Sequence, residues 1–396
     1  MGHFYIWPLL LISLSLFWVT FTGFANDKPW KSFLSGFMYG FGFYCGSLWW
    51  IGNALLVGGN PFKWAYPLAV CGLPALLSLF PMLAVGFTRL FSKGRSLKSY
   101  SVFLCLFFTT EWARGHLFTG FPWNLTGMTW TTNLPVMQIL SVGGMYTLTA
   151  LSIFMLSVTG FAWKGDSPRL IRYSLVALAL LIFVSLNLFG MNRLNKNPTT
   201  YHKDVVVQLI QPNIAQEDKW DGSKVWDNYR SLLNILKPDE MATYTSPIKT
   251  RLIVLPETAL TYHELGTPQA RDALLGKLSG YSEPNVYLLS GALLHDAVGY
   301  HNALVALDQQ GNLLKTFDKF HLVPFGEYMP FQKYIPFGPI VNFEGFHEGD
   351  GPHTLSLPDA PSFSPLVCYE VIFAGEVTAK NEPRPEWILN VTNDAW

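Results

Sequence analysis

Three residues of different chemistry share one kind of placement in this chain. Glu257 follows Val254-Leu255-Pro256, Lys319 lies in Phe317-Asp318-Lys319-Phe320-His321, and Cys368 ends Pro365-Leu366-Val367-Cys368. Each sits at or just beyond the end of a hydrophobic strand, where α/β folds gather their active-site groups. Singly, each has an ordinary reading. A Glu after a strand is a surface or capping group, a Lys is solvated, and a strand-end Cys is core. Together they compose a nucleophilic device. A carboxylate within hydrogen-bond reach takes the thiol proton, and the sulfur then attacks a carbonyl. A nearby ammonium favours both the thiolate and the oxyanion of the tetrahedral intermediate. The covalent product is an acyl-thioester, and neither a metal nor an organic cofactor is needed.

Competing chemistries have little support. The other cysteines, Cys45, Cys71 and Cys105, lie in apolar stretches and read as small buried hydrophobes. Cys368 therefore has no disulfide partner in its own half of the chain. The histidines His263, His295, His301, His321 and His347 are scattered without metal-ligand spacing. No Gly-rich phosphate loop or dinucleotide fingerprint joins a strand to a helix.

The elements that must position the three residues begin near His202. Residues 192–202 read as a short polar linker, and 203–396 as a catalytic domain. Within it, 204–211, 251–256, 286–291, 302–308, 363–368 and 387–392 read as strands. Helices are expected near 222–237 and 268–280. This alternation predicts an α/β domain or a layered α-β-β-α sandwich.

The first 191 residues belong to a different solvent. The chain of 396 residues is half hydrophobic and only 14% charged, too apolar for an average soluble protein. Up to Asn195 there are 12 Lys/Arg against 3 Asp/Glu, which leaves 15 against 24 of the 27 and 27 in the chain. A zero net charge thus hides a basic half and an acidic half, and no basic nucleic-acid surface is indicated. Six apolar stretches, about 4–22, 32–52, 64–88, 99–115, 136–162 and 171–190, read as membrane-spanning helices. Pro67, Pro74 and Pro81 predict kinks in the third. Loops one, three and five carry Lys28, Lys31, Arg89, Lys93, Arg95, Lys98, Lys164, Arg169 and Arg172; loops two and four carry only Lys63 and Arg114. The positive-inside rule then puts the N-terminus and the domain after the sixth helix outside the cytoplasm. The first stretch lacks a basic leader and a good cleavage site at Phe24-Ala25-Asn26, so it reads as a retained helix. The fourth loop interleaves Trp112, Phe118, Phe121, Trp123 and Trp130 with Gly115, Gly120, Pro122 and Gly127. It fits an interfacial aromatic belt or a re-entrant arm, with Glu111 and Arg114 spaced to pair on one helix face.

Taken in order, the motifs resemble the carbon–nitrogen hydrolase (nitrilase) superfamily and, with the multi-span region, the apolipoprotein N-acyltransferase family of Gram-negative inner membranes. The segments that carry this are Gln211-Pro212-Asn213-Ile214 with Lys219-Trp220, Leu255-Pro256-Glu257-Thr258-Ala259, Tyr300-His301-Asn302 and 319–328, then Cys368-Tyr369-Glu370 and Asn390-Val391-Thr392-Asn393-Asp394-Ala395-Trp396. The resemblance implies Glu257 as general base, Lys319 as electrostatic stabiliser and Cys368 as nucleophile. It further implies that Glu327 supports Lys319, that Tyr369 and Glu370 shape the acyl site, that Trp220 lies on a loop near substrate, and that Asn302 orients. The implied reaction is ping-pong transfer of the sn-1 acyl chain of a phospholipid, typically phosphatidylethanolamine, to the N-terminal amine of an S-diacylglyceryl-cysteine apolipoprotein. It implies a multi-pass inner-membrane protein with its catalytic domain in the periplasm and no cofactor. The family also carries an additional N-terminal helix and further elements beyond the residues matching Trp396. A chain truncated there would leave the sandwich incomplete, so an inactive fragment or scaffold is an alternative expectation, and a membrane-tethered amidase a more distant one.

Overall fold

A computed structural model describes residues 7–24, 27–56, 62–219, 222–238, 244, 246–324, 326–328 and 345–393. The chain divides into two compact units at Thr199/Thr200.

The first unit is helical. Its helices are α1 (Trp7–Gly23), α2 (Trp30–Leu48), α3 (Leu73–Leu77), α4 (Leu79–Phe91), α5 (Leu97–Arg114), α6 (Leu134–Met137), α7 (Leu140–Lys164) and α8 (Arg169–Lys196). Among the described residues, three helical stretches combine the length and hydropathy of a membrane span: Lys63–Phe91, Leu140–Lys164 and Arg169–Lys196; Pro8–Gly23 is apolar but shorter. Helices α2 and α5 are long enough, but Gly, Ser and aromatics in one and Ser, Thr and terminal charges in the other dilute their hydropathy. Prolines break the third stretch into short helical pieces, including a π-turn at Leu68–Gly72.

Several expectations are corrected here. Helix α8 continues to Lys196, through residues that read as linker, and stops where Pro198 would block further helix. Arg89 is a buried residue of α4 rather than a loop residue, and donates to the Asp27 carbonyl at 3.3 Å. Cys71 and Cys105 are exposed on the bundle surface and Cys45 is half-buried; apolar side chains need not turn inward where the surrounding solvent is hydrocarbon.

Close helix approach depends on small residues. A Cβ at Gly36 of α2 would lie 2.5 Å from Val85 Cγ2 and 2.6 Å from the Pro81 carbonyl of α4, and Gly40 one turn on meets Pro81 and Ser78. Without a hydrophobic drive between helices in lipid, such contacts supply the packing. Trp18 is fully buried edge-on against Tyr100 and Phe161.

Glu111 and Arg114 form no ion pair with each other among the described residues. The Glu111 carboxylate accepts from Thr126 N at 3.0 Å and Thr126 Oγ1 at 2.7 Å. Arg114 Nη1 donates to the carbonyls of Phe121 at 2.6 Å and Trp123 at 2.8 Å. Both charges clamp the aromatic loop back onto the bundle, where Trp130 Nε1 donates to Ser152 Oγ at 2.8 Å.

The second unit is α/β. Its first sheet has the order β1 (Val205–Leu209), β2 (Thr250–Thr261), β3 (Asn285–His295), β4 (Tyr300–Asp308), β5 (Leu313–Asp318). β1, β2 and β3 are parallel, and β4 and β5 return antiparallel. A one-turn helix α9 (Gln216–Lys219) and α10 (Val225–Ile235) link β1 to β2; α11 (Tyr262–Gly266) and α12 (Pro268–Leu278) link β2 to β3. A second sheet pairs β6 (Phe363–Val367) with β7 (Trp387–Val391), parallel.

The period-two pattern of β2 to β4 sorts the core into two layers. Ile253, Leu255, Val286, Leu288, Val305 and Leu307 pack with Leu232, Leu274 and Leu278 of the helices. Leu252, Val254, Tyr287, Leu289, Leu304 and Ala306 pack with Phe363, Leu366, Leu389 and Val391 of the second sheet. Helices, sheet and sheet thus form successive layers of a sandwich, and β2, β5 and β6 carry the site.

Candidate active site

β2 loses its register with β3 between Leu255 and Leu260. Pro256, Glu257, Thr258 and Ala259 therefore bulge off the ladder, and Thr258 takes a left-handed φ of 47°. Bulges re-aim side chains beside active sites. Gly291 of β3 makes room: a Cβ there would overlap the Glu257 Cα and lie 2.6 Å from the Pro256 carbonyl. The freed Glu257 side chain accepts at Oε1 from Asn302 Nδ2 (2.9 Å) and at Oε2 from Asn393 N (3.1 Å).

Lys319 follows β5 and is 1% exposed. Its Nζ lies 2.8 Å from Glu327 Oε1 and 3.8 Å from Glu257 Oε1. Its main-chain N donates to the Asn302 carbonyl at 2.9 Å. Burial works against the ammonium, but Glu327, then Glu257 and Cys368, outweigh it and hold the Lys319 pKa above its usual value. Glu327 is fixed in turn, since its Oε2 accepts from Val323 N at 2.8 Å and its Oε1 from Asn302 Nδ2 at 3.1 Å. Asn302, 2% exposed, thus bridges the two glutamates with one amide.

Cys368 begins the turn that ends β6, with a left-handed φ of 54°. Non-glycine residues held there cost of order 1–3 kcal/mol and cluster at functional sites. Burial, then the Glu257 charge, push the thiol up to about 11, against the pull of Lys319 and a hydrogen bond with Thr392. Glu370, two residues on, is fully buried. Its carboxylate accepts from Val367 N (2.6 Å), Phe320 N (2.6 Å) and His321 N (3.2 Å), tying the Cys368 turn to the Lys319 segment. Burial raises its pKa to about 7 despite those bonds. Tyr369 is half-buried and meets Phe373 edge-on, with centroids 5.0 Å apart. Trp220 lies outside the described residues.

Glu257, Asn302, Lys319 and Glu327 are therefore in direct contact, with Cys368 inside their electrostatic reach and Glu370 bracing the two segments. Three groups at the site were not picked out from the sequence. Lys219 Nζ donates to the Glu257 carbonyl at 2.9 Å, Thr392 hydrogen-bonds the thiol, and the Asn393 N–H holds Glu257. All three lie in segments that carry the family resemblance but had no role there; Lys219 and Asn393 act at main-chain atoms, which residue types do not encode. Among the described residues no three His, Cys, Asp or Glu side chains are grouped to hold a metal ion.

Comparison with known proteins adds two family matches. The apolipoprotein N-acyltransferase N-terminal domain matches residues 2–158, and the carbon-nitrogen hydrolase family matches 206–396. An apolipoprotein N-acyltransferase of Rhodopseudomonas palustris is 33% identical over all of this chain and 75% of its own length. One from Brucella melitensis biotype 1 is 36% identical over 91% of this chain and 68% of its own. Among solved structures, an N-terminal amidase with an Asn-Glu-Ala peptide covers 42% of this chain and 40% of its own, at 14% identity and a TM-score of 0.25. An amidase from Nesterenkonia sp. covers 44% and 60%, at 17% identity and a TM-score of 0.24. Apolar helices and a hydrolase-type sandwich in one polypeptide, matched along its length by these relatives, make it a membrane-bound enzyme: the chain belongs to the apolipoprotein N-acyltransferase family.

Proposed function

We propose that this chain transfers the sn-1 acyl group of a membrane phospholipid, phosphatidylethanolamine in the first instance, to the N-terminal amine of an S-diacylglyceryl-cysteine apolipoprotein, through a thioester on Cys368. The observation that carries this is the convergence of Glu257 from the bulge inside β2 with Lys319 and Cys368 from the ends of β5 and β6, both carboxylates of the cluster being turned on one ammonium.

Cys368 Sγ attacks the ester carbonyl carbon while Glu257 takes the thiol proton; an S–C bond forms and the carbonyl π pair moves to oxygen. A thiol held near 11 is protonated at rest, so proton transfer accompanies attack and needs a base in place. Lys319 offsets the oxyanion charge, at little reorganisation cost because its position is already fixed by Glu327. The ester C–O bond then breaks, and the proton held by Glu257 passes to the departing lysophospholipid alkoxide. In the second half, the lipoprotein amine attacks the thioester, an amide C–N bond forms, the C–S bond breaks, and the amine proton returns to sulfur through Glu257. The loop charges support a periplasmic catalytic domain on an inner-membrane anchor. Confinement to the membrane would orient donor ester and acceptor amine and so raise their effective concentration.

Purified protein incubated with labelled phosphatidylethanolamine should gain one acyl mass, mapped to Cys368 and labile to hydroxylamine, and Cys368→Ala should gain none. A folded wild-type protein that never acquires the adduct overturns this reading.

A further inference from the structure

After β1 the chain turns at Asn213, which has a left-handed φ of 53°, and enters α9. The end of α9 is firmly held. Asp218 N and Lys219 N both donate to the Ala215 carbonyl, Lys224 pairs with the Asp218 carboxylate, and Asn228 Nδ2 of α10 donates to the Asp218 carbonyl at 2.9 Å. From that anchored turn the Lys219 side chain goes inward, and its Nζ donates to the main-chain carbonyl of Glu257 at 2.9 Å.

The geometry is costly for a mere tether. An ammonium drawn from water loses hydration, and a neutral carbonyl repays only part of it. Burial accordingly pulls Lys219 down to about 8, with Glu257 and Cys368 acting in the opposite sense. Such a cation is best compensated when negative charge appears beside it, which is what attack by Cys368 produces.

We propose that Lys219 is a positioning residue of the acyl-transfer site: tied to the Glu257 carbonyl, it fixes that glutamate against the segment following β1 and supplies a second positive charge for the negative charge that develops at Cys368 and the carbonyl it attacks. This rests on the acyl-transfer reading above. The charged or titratable groups that act on it are Glu257 and Cys368, with Lys319, Glu327 and Glu370 in the same site and Asp218 and Lys224 in its own segment. The Cys368 thiol and Lys319 are held higher, and Glu370 is raised to about 7. An alkaline limb near pH 8 that disappears when Lys219 is replaced therefore belongs to Lys219, whose charge helps only while it is protonated.

The test follows single-turnover thioester formation on full-length protein with labelled phosphatidylethanolamine micelles from pH 6 to 10, for wild type, Lys219→Met and Lys219→Arg. Wild type should slow as pH passes about 8. Lys219→Met should form thioester roughly 10- to 100-fold more slowly at pH 7, with donor half-saturation little changed and the limb near 8 gone. Lys219→Arg, which stays charged, should keep more of the rate and lose the limb from this range. A Lys219→Met protein with the wild-type rate and pH profile overturns the proposal, as does a loss confined to donor half-saturation. If the methionine variant does not fold, an arginine variant that keeps the limb near 8 overturns it equally. Wild type that forms no thioester overturns the acyl-transfer reading instead.

Discussion

Buried carboxylates and cations occur in both halves of the molecule, and they are used differently. In the helical bundle Glu111 and Arg114 form no ion pair with each other among the described residues: Arg114 donates to main-chain carbonyls of the loop after α5, and Glu111 accepts from the main-chain N and the hydroxyl of Thr126. In the α/β unit Glu257 and Glu327 both face Lys319, and a thiol lies within their field. The first arrangement leaves a charge nothing to do but hold a loop. The second keeps charges turned on one another, so that a change at one is felt at the rest. Glu370 belongs with the bundle pair despite its address beside Cys368, because three main-chain N–H groups take up its oxygens.

The contrast breaks most visibly at Lys319. Lys319→Met leaves two neighbouring carboxylates buried without their cation, at a cost of about 3–5 kcal/mol, and removes the proposed electrostatic stabiliser, worth roughly 10²- to 10³-fold in rate. Thermal melting and thioester formation at neutral pH should both fall. A variant that melts like wild type at neutral pH would show that the cluster is not held by mutual charge.

Gly291→Ala separates position from charge. No charged group changes, but the new methyl collides with the Glu257 main chain, so the bulge must shift. Overpacking of this kind costs typically 1–3 kcal/mol, and a displacement near 1 Å at a reacting group can cost about 10²-fold. Thioester formation should fall by more than the melting change explains. Equal and small effects on both would mean that the bulge has slack.

These effects bear on how much was readable beforehand. The end of β6 at Cys368 was legible because the apolar run 363–368 stops there; at Glu257 the end of the apolar run 251–256 marks a bulge, and β2 resumes and continues to Thr261. β5 was not legible as a strand: in Leu313–Asp318 only Phe317 is buried, so an exposed edge strand shows no hydrophobic signature. β3 was read short, as 286–291, although Ala292 and Leu293 are still buried and the pairing with β4 runs on unbroken to an exposed His295. Glu111 and Arg114 were read as partners from helical spacing, which says which side chains can meet and not that a loop will intervene. The site's long-range main-chain contacts, Asn393 N on Glu257 and the Phe320 and His321 N–H groups on Glu370, come from segments more than 45 residues away in sequence, and no residue type announces them.

Glu370→Gln gives a smaller effect with a pH signature. Burial raises the folded carboxyl to about 7, above its unfolded value, so the folded state binds the proton more tightly. Its stabilising contribution is then fully present below the unfolded pKa and declines as pH rises through the folded one. Glutamine mimics the neutral form and does not titrate. The melting difference between wild type and Glu370→Gln should therefore shift in favour of the variant between about pH 4.5 and 7, and stay constant above. A difference independent of pH would mean that the carboxylate is ionised throughout.

The smallest effect is expected in the bundle, where it tests the other side of the comparison. Thr126→Val keeps the main-chain donor to Glu111 Oε2 and removes only the hydroxyl donor to Oε1. One buried acceptor loses one partner, which costs about 1–3 kcal/mol. Because Glu111 acts on a loop and not on a reacting atom, that loss should register in melting of the detergent-solubilised protein while thioester formation per folded molecule stays within about twofold, far below the transition-state losses expected of the other cluster. A Thr126→Val protein that melts normally but acylates slowly would reverse the assignment, since the loop clamped by Glu111 and Arg114 would then be acting on the substrate rather than on the fold.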